Sequence, residues 1–247
     1  MKFYLGTHRP RWLAALDVPL FVSRRTIAPL RTPPRARAPW ALDSGAFTEL
    51  SIHGRWTVSA GTYAREVERL RNEVGRLEWA APQDWPCEPA MRDRTGRSVE
   101  EHQRRTVGNF LELRALAPDV PWTPVLQGWT EGDYWEHLEQ YDVAGVDLRR
   151  APLVGVGSIC RRQSSIRASL ILKGLAREGL RLHGFGLKKT GLRATAGHLA
   201  SADSLAWSLH ARLEPPLSGH PHKTCANCAV FALEWRDELL ASLPEAA

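Results

Sequence analysis

The sequence predicts an α/β fold, a (β/α)8 TIM-like barrel, on two observations. Short apolar runs alternate with longer amphipathic segments about eight times, the rhythm of parallel strands joined by crossover helices. The chain has 247 residues, near the ~250 typical of such a barrel and long enough to bury a large core. An open, doubly wound sheet is the other arrangement of the same elements. The expected division is a barrel over residues 1–212 and a terminal segment over 213–247 packed on it.

Residues 3–6 and 19–23 read as strands, with a turn of helix over 11–16 between them. Residues 24–39 are rich in arginine and proline, and Pro33-Pro34 excludes helix, so an exposed basic loop is expected. In the stretch WALDSGAF at 40–47 a short apolar run ends abruptly on Asp43. An aspartate at that point enters the loop after the strand, where parallel α/β proteins bind ligands, and Ser44-Gly45 allows close approach of a substrate to the backbone. The plainer reading is that Asp43 caps a turn. Recurrence of the pattern along the chain favours chemistry.

An irregular stretch is expected as far as Trp56, and then Val58, Tyr63, Val67, Leu70 and Val74 have helical spacing over 57–74. Residues 77–85, LEWAAPQDW, run from apolar to polar and end on Gln83 and Asp84. Ser98 with Glu101 predicts a capping box for a helix to about Leu116. Residues 121–129, PWTPVLQGW, repeat the strand pattern and end on Gln127-Gly128.

Residues 131–144 read as a helix, and 153–160, LVGVGSIC, as a strand ending in Gly157-Ser158. A helix over 164–178 closes at Gly179, a strand broken by two glycines follows over 181–187, and a short helical piece lies near 194–199. Residues 200–208, ASADSLAWS, form the last expected strand, carrying Asp203 among small residues. Residues 225–243 read as an amphipathic helix packing through Val230, Leu233, Leu239 and Leu240. No internal repeat is visible.

Laid on a barrel, the strand ends bring Asp43, Asp84, Gln127, Gly157, Ser158 and Asp203 to one mouth. Two carboxylates there suit a nucleophile and an acid/base at an electrophilic carbon, as in retaining glycosyl transfer. A Gln, an Asp and exposed backbone amides suit the edge of a purine-like base. No phosphate-binding loop appears, and Gly155-x-Gly157 lacks the third glycine and acidic partner of a dinucleotide fingerprint. The ten tryptophans are core and rim residues by default; Trp85 and Trp129, close after polar strand ends, are candidates to stack on a base.

Lys and Arg outnumber Asp and Glu by 33 to 27, a net charge of +6 carried mostly by arginine. That balance favours a polyanionic partner, although free use of arginine codons produces the same bias. No apolar stretch approaches the ~20 residues of a membrane span, and the opening MKFYLGTHRPRW lacks the apolar core of a signal peptide, so a cytoplasmic protein is expected. Cys87 and Cys160 stand alone and read as core thiols. His220, His222, Cys225 and Cys228 fall within nine positions, a spacing that fits a closed tetrahedral structural zinc site in the terminal segment. Two surface histidines beside an inert or redox-active C-x-x-C are the alternative.

The ordered set LDSGAF, APQDW, PVLQGW, VGVGSICRR, LHGFG and SADSLAWS covers most of the chain. It resembles the tRNA-guanine transglycosylases, and more closely their small DpdA-type relatives, the DNA deazapurine transglycosylases of phages and bacterial genomic islands. The resemblance implies a barrel that replaces guanine with a 7-deazaguanine of the 7-cyano type through a covalent enzyme–nucleic acid intermediate. It implies DNA as partner, with tRNA as the alternative polymer, a free 7-deazaguanine base as co-substrate and accessory proteins for DNA access; a non-catalytic nucleic-acid-binding barrel whose aspartates are structural is the remaining alternative. It also implies the cytoplasm of a bacterium or a phage-infected host. Carried over by motif, Asp203 is similar to the nucleophile on the sugar and Asp43 to the general acid/base. Asp84 or Gln83, with Gln127 and Gly128, are similar to the base-edge readers, and Gly157 and Ser158 to the backbone at the base carbonyl. Arg35, Arg37, Arg161 and Arg162 are the expected nucleic-acid contacts on the rim. The tRNA enzymes bind zinc through C-x-C-x2-C and a later histidine; here His220 and His222 take the first two places, no histidine follows Cys228, and Cys228 must serve as fourth ligand.

Overall fold

In the computed structural model, described over residues 1–159 and 166–244, eight strands form one parallel sheet. They are Lys2–Thr7 (β1), Leu20–Ser23 (β2), Trp40–Asp43 (β3), Leu77–Ala80 (β4), Val125–Leu126 (β5), Val154–Val156 (β6), Leu182–Gly184 (β7) and Ser201–Ser204 (β8). The order β4-β3-β2-β1-β8-β7-β6-β5 leaves β4 and β5 at its two ends. These meet at a single parallel bridge between Ala80 and Trp122, where Ala80 N–H donates to the Pro121 carbonyl at 3.0 Å and Thr123 N–H to the Ala80 carbonyl at 3.0 Å. The sheet thus curls into the expected barrel with one ladder reduced to a bridge.

The helices are Trp12–Ala15 (α1), Arg24–Ile27 (α2), Ala46–His53 (α3), Ala60–Val74 (α4), Pro89–Thr95 (α5), Val99–Leu116 (α6), Glu131–Val143 (α7), Ile166–Arg177 (α8), Lys189–Thr195 (α9), Ala206–Leu213 (α10) and Ala229–Ala241 (α11). α4 shows how sequence dictates such an element. Ser59 caps it by accepting the Thr62 N–H at 3.2 Å, Tyr63, Val67, Leu70 and Val74 fall on one buried face, and Gly75 ends it at φ 72°. Strand alternation then divides the core in two. Leu5, Leu20, Val22, Trp40 and Leu42 belong to the large cluster between sheet and helices, whereas Tyr4, Phe21, Ala41 and Trp79 fill the barrel interior. Asp43 is two residues beyond Ala41, and Asp203 is in register with Tyr4, so both carboxylates belong to the inward-facing set.

Several expectations are corrected at element boundaries. The stretch expected to be irregular before Trp56 contains α3, and residues 89–95 add α5, neither of which has a clear apolar period. The basic stretch 24–39 opens with α2 rather than running as loop throughout. The last strand stops at Ser204, and the chain turns into α10. Ser98 accepts the Glu101 N–H, but the Glu101 carboxylate binds Arg104 and Arg105, so only half of the capping box forms; the complete box is Thr130 with Asp133 on α7. α11 begins at Ala229 and buries Ala232, Trp235 and Leu239, while Val230 is exposed. Trp235 meets Phe3 of β1 at a centroid distance of 6.5 Å, which ties the terminal segment to the barrel. Each such large apolar side chain contributes about 1.5–3 kcal/mol when fully buried. No helix among the described residues is long and apolar enough to cross a membrane.

Candidate active site

A cavity of about 430 Å³ opens at the C-terminal ends of the strands. Asp43, Ser44, Asp84, Gln127, Gly157, Ser158 and Asp203 line it, together with Phe21, Phe47 and Phe185, with Arg25 of the basic stretch, and with two polar groups the sequence did not single out, Glu88 and His8. Cavities at this end of parallel barrels are where strand ends and loops can hold a ligand from several sides.

Asp203 ends up beside His183, a fully buried ring on β7 two residues short of Phe185. His183 Nε2 lies 3.3 Å from Asp203 Oδ1 and its Nδ1 lies 2.9 Å from Ser201 Oγ, so the ring donates to the carboxylate and accepts from the serine. Gly186 N–H donates to the same Oδ1 at 2.9 Å. Trp79 and Phe185 hold the imidazole at centroid distances of 4.6 and 4.8 Å. One oxygen of Asp203 is therefore anchored by two donors, and the carboxylate has a fixed direction in the mouth.

Asp43 accepts from the Gly45 N–H and the Ser23 hydroxyl, yet burial at the mouth outweighs both and, with the Asp203 charge nearby, raises it from 3.8 to about 6. A carboxyl poised there can give and take a proton near neutrality. Gly45 stands at φ 80°, and a Cβ on it would meet the Arg25 side chain at 2.9 Å. The room expected for a substrate beside this glycine is taken by Arg25, which pairs with buried Glu49 at 2.9 Å.

Asp84 is raised further, to about 7, by burial, against the hydrogen bond from Ser44 and with the charge of Asp43 adding to the rise. Ser44 Oγ donates to Oδ1 at 2.8 Å and Gln127 Nε2 to Oδ2 at 2.6 Å. Gln127 Oε1 in turn faces Ser158 Oγ at 2.7 Å, and Ser158 Oγ faces Glu88 Oε2 at 2.8 Å while accepting the Cys87 N–H at 2.8 Å. Ser158 is held at φ 54°, a strained backbone for a serine that these three side-chain contacts stabilise.

Four expectations are corrected at the site. Gln83 points away from the cavity, donating to the Val58 carbonyl at 2.8 Å, so Asp84 is the residue of that pair at the mouth. Gly128 packs on Tyr134, where a Cβ would stand 2.9 Å from the ring, and does not line the cavity. Trp85 lies between the guanidinium groups of Arg97 and Arg105, and neither it nor Trp129 lines the cavity; the aromatic wall is Phe21, Phe47 and Phe185. Arg35 and Arg37 are exposed at the opposite end of the barrel, because Ala36 N–H bonds the Val74 carbonyl and Arg37 N–H the Leu13 carbonyl, both just before strands begin. Arg161, Arg162 and Cys160 lie outside the described residues. Cys87 is the buried thiol it was expected to be.

The ligand atoms of His220, His222, Cys225 and Cys228 lie within 4.8 Å of one another. His222 Nε2 is 3.0 Å from Cys225 Sγ, and His220 Nδ1 is 3.5 Å from Cys228 Sγ. Leu217 N–H donates to Cys225 Sγ at 3.3 Å. Two imidazoles and two thiols at this closeness fit a metal ion, and α11 starts directly after Cys228. Ser208 Oγ donates to the Ala226 carbonyl at 2.8 Å, so the same loop is fastened to α10.

A comparison with curated proteins finds no match. The family model described as DpdA, DeoxyPurine in DNA protein A, matches residues 1–247. With its whole length covered, the chain belongs to the DpdA family, one of DNA deazapurine transglycosylase type.

Proposed function

We propose that this protein exchanges guanine in DNA for a 7-deazaguanine, with Asp203 as nucleophile. The observation that carries the reading is the pairing of an oriented carboxylate, Asp203, with a second carboxyl, Asp43, raised to about 6 in the same mouth. Asp203 attacks C1′ of the nucleotide, the C1′–N9 bond breaks, and the departing guanine takes a proton from Asp43. The incoming base then gives its N9 proton to Asp43 and displaces Asp203 from C1′, so two displacements retain the configuration. Asp84 and Gln127 meet the base edge, and the phenylalanine wall supplies a face for stacking. Because the target lies inside a duplex, it has to be flipped out or presented single-stranded, at a cost of a few kcal/mol. Arg25, on the cavity wall, is the arginine at the mouth that can meet a phosphate, in place of Arg35 and Arg37. Zinc at His220, His222, Cys225 and Cys228 stabilises the loop leading into α11 and takes no part in the exchange.

Purified protein, labelled guanine-containing DNA or tRNA and free 7-deazaguanines test the reading through mass spectrometry of the released nucleosides. Incorporation into DNA is expected. Exchange into tRNA alone, with single- and double-stranded DNA untouched in the presence of accessory proteins, replaces DNA with tRNA as the substrate.

A further inference from the structure

Both hydrogen bonds that the Asp203 carboxylate accepts among the described residues fall on one oxygen, Oδ1, from His183 Nε2–H at 3.3 Å and the Gly186 N–H at 2.9 Å. Oδ2 is thereby the oxygen left to meet C1′. His183 and Ser201 are partners in register on β7 and β8, and Ser201 and Asp203, two residues apart, share the inward face of β8. The Ser201 hydroxyl, 2.9 Å from Nδ1, donates to that nitrogen and so leaves the ring hydrogen on Nε2, toward the carboxylate. Tyr4, Phe21, Trp79 and Phe185 surround the imidazole at centroid distances of 6.0, 5.7, 4.6 and 4.8 Å, and the ring is fully buried. In that apolar box it has no water to turn to, and its hydrogen bond acts at low local dielectric.

Donors on Oδ1 act unequally on the two displacements. In the first, Oδ2 of the carboxylate bonds to C1′ while the C1′–N9 bond breaks and its electron pair leaves with guanine, which takes its proton from Asp43. Oδ1 becomes the carbonyl oxygen of a glycosyl ester, loses its charge, and holds the two donors less strongly. In the second, the incoming base gives its N9 proton to Asp43 and bonds to C1′ through N9, while the Oδ2–C1′ bond breaks and its electron pair returns to the carboxylate, shared with Oδ1. The same donors strengthen as that charge reappears. We propose that His183, oriented by Ser201, is a positioning residue that promotes release of Asp203 from the sugar, the second displacement, more than the initial attack. The assignment rests on the base-exchange reading above.

The test times the two displacements separately by rapid quench with end-labelled DNA. Formation of the covalent adduct is followed on denaturing gels, and then its decay once unlabelled guanine or 7-cyano-7-deazaguanine is added. His183→Phe, which fills the aromatic box without an N–H, should slow decay by about ten- to a hundredfold, the worth of a hydrogen bond to a charged group, and affect formation far less. His183→Gln, whose Nε2–H reaches as far from the backbone, should recover most of the decay rate. Ser201→Ala, which frees the ring hydrogen to move to Nδ1, should shift the ratio of the two rates in the same direction and serves as the check where a ring variant fails to fold. Equal slowing of formation and decay in folded variants overturns the proposal and leaves His183 a structural support, and so does decay at the unaltered rate. In the unaltered protein, DNA binding without adduct or exchange sinks the base-exchange reading, and the proposal with it.

Discussion

Gly157 lies so close to Gln127 that a Cβ on it would stand 2.3 Å from Nε2, the nitrogen that holds Asp84. The glycine after β6 is therefore what admits the glutamine after β5 to the cavity floor. Gly157→Ala should push the amide aside and break its bond to Asp84 while leaving the barrel folded, since the clash is with a side chain. Loss of a hydrogen bond to a charged group is worth roughly 1.5–3 kcal/mol, or about ten- to a hundredfold in kcat/KM. Steady-state kinetics beside circular dichroism check it; full activity in the alanine variant would show that the Gln127 amide does not read the base.

Asp203→Asn should abolish exchange and the covalent adduct with DNA on denaturing gels, with the fold kept because His183 and Gly186 still have an oxygen to bond. Asp43→Asn should slow turnover by ~10²–10⁴, the usual worth of acid/base assistance, and still allow the adduct to accumulate. An active, folded Asp203→Asn removes that residue from the nucleophile's role.

Asp84 makes stability depend on pH in a defined direction. Burial raises the carboxyl from 3.8 to about 7, so the folded protein binds this proton more tightly than the unfolded chain. The stabilisation from that proton is complete below about pH 3.8 and is lost as pH rises to about 7. Asp84→Asn, which cannot ionise, should gain stability over the unaltered protein by about 4 kcal/mol between pH 4 and pH 8, because each tenfold difference in proton affinity between folded and unfolded chain is worth ~1.4 kcal/mol. Denaturant melts at the two pH values read the difference, and a gap that does not widen with pH contradicts the buried ionisable role.

Removal of metal from the His220–Cys228 cluster should loosen α11 first, because the helix begins at the residue after a ligand. Chelation is expected to raise amide exchange across Ala229–Ala241 and lower the melting temperature, whereas Asp203 and Asp43 stay in place. Metal analysis finding less than one zinc per folded, active chain would refute the site.

The strand ends that carry the site were legible because each couples a short apolar run to one polar residue, and that pattern survives without any alignment. Its register was less legible. Gln83 and Asp84 are adjacent, so one faces the cavity and the other the helices, and only the bend at Gln83 and the partners Val58 and Ser44 decide which. Glu88 was missed because it follows its strand by eight residues and reaches the cavity through a loop, where no periodicity applies. Arg35 and Arg37 were misplaced for a related reason: a basic loop between two strands can pass either end of the barrel, and backbone bonds to Leu13 and Val74 choose the far one. His183 was not singled out in a strand read as broken by two glycines, yet its neighbour in the sheet, Ser201, and Asp203 two residues beyond make it the brace of the proposed nucleophile.

Asp84 follows β4 and Gln127 follows β5, the two end strands that, among the described residues, are joined only through the Ala80–Trp122 bridge just ahead of β5. Their 2.6 Å hydrogen bond is thus a latch across the seam of the barrel, and the groups proposed to grip a base also keep the wall shut. Few backbone bonds guard this seam, so it should breathe before the rest of the sheet. Gln127→Ala is expected to speed hydrogen exchange at the Ala80 and Thr123 amides and leave those of β1 and β8 unchanged. Any substitution that retunes base recognition here also resets how tightly the scaffold closes on itself.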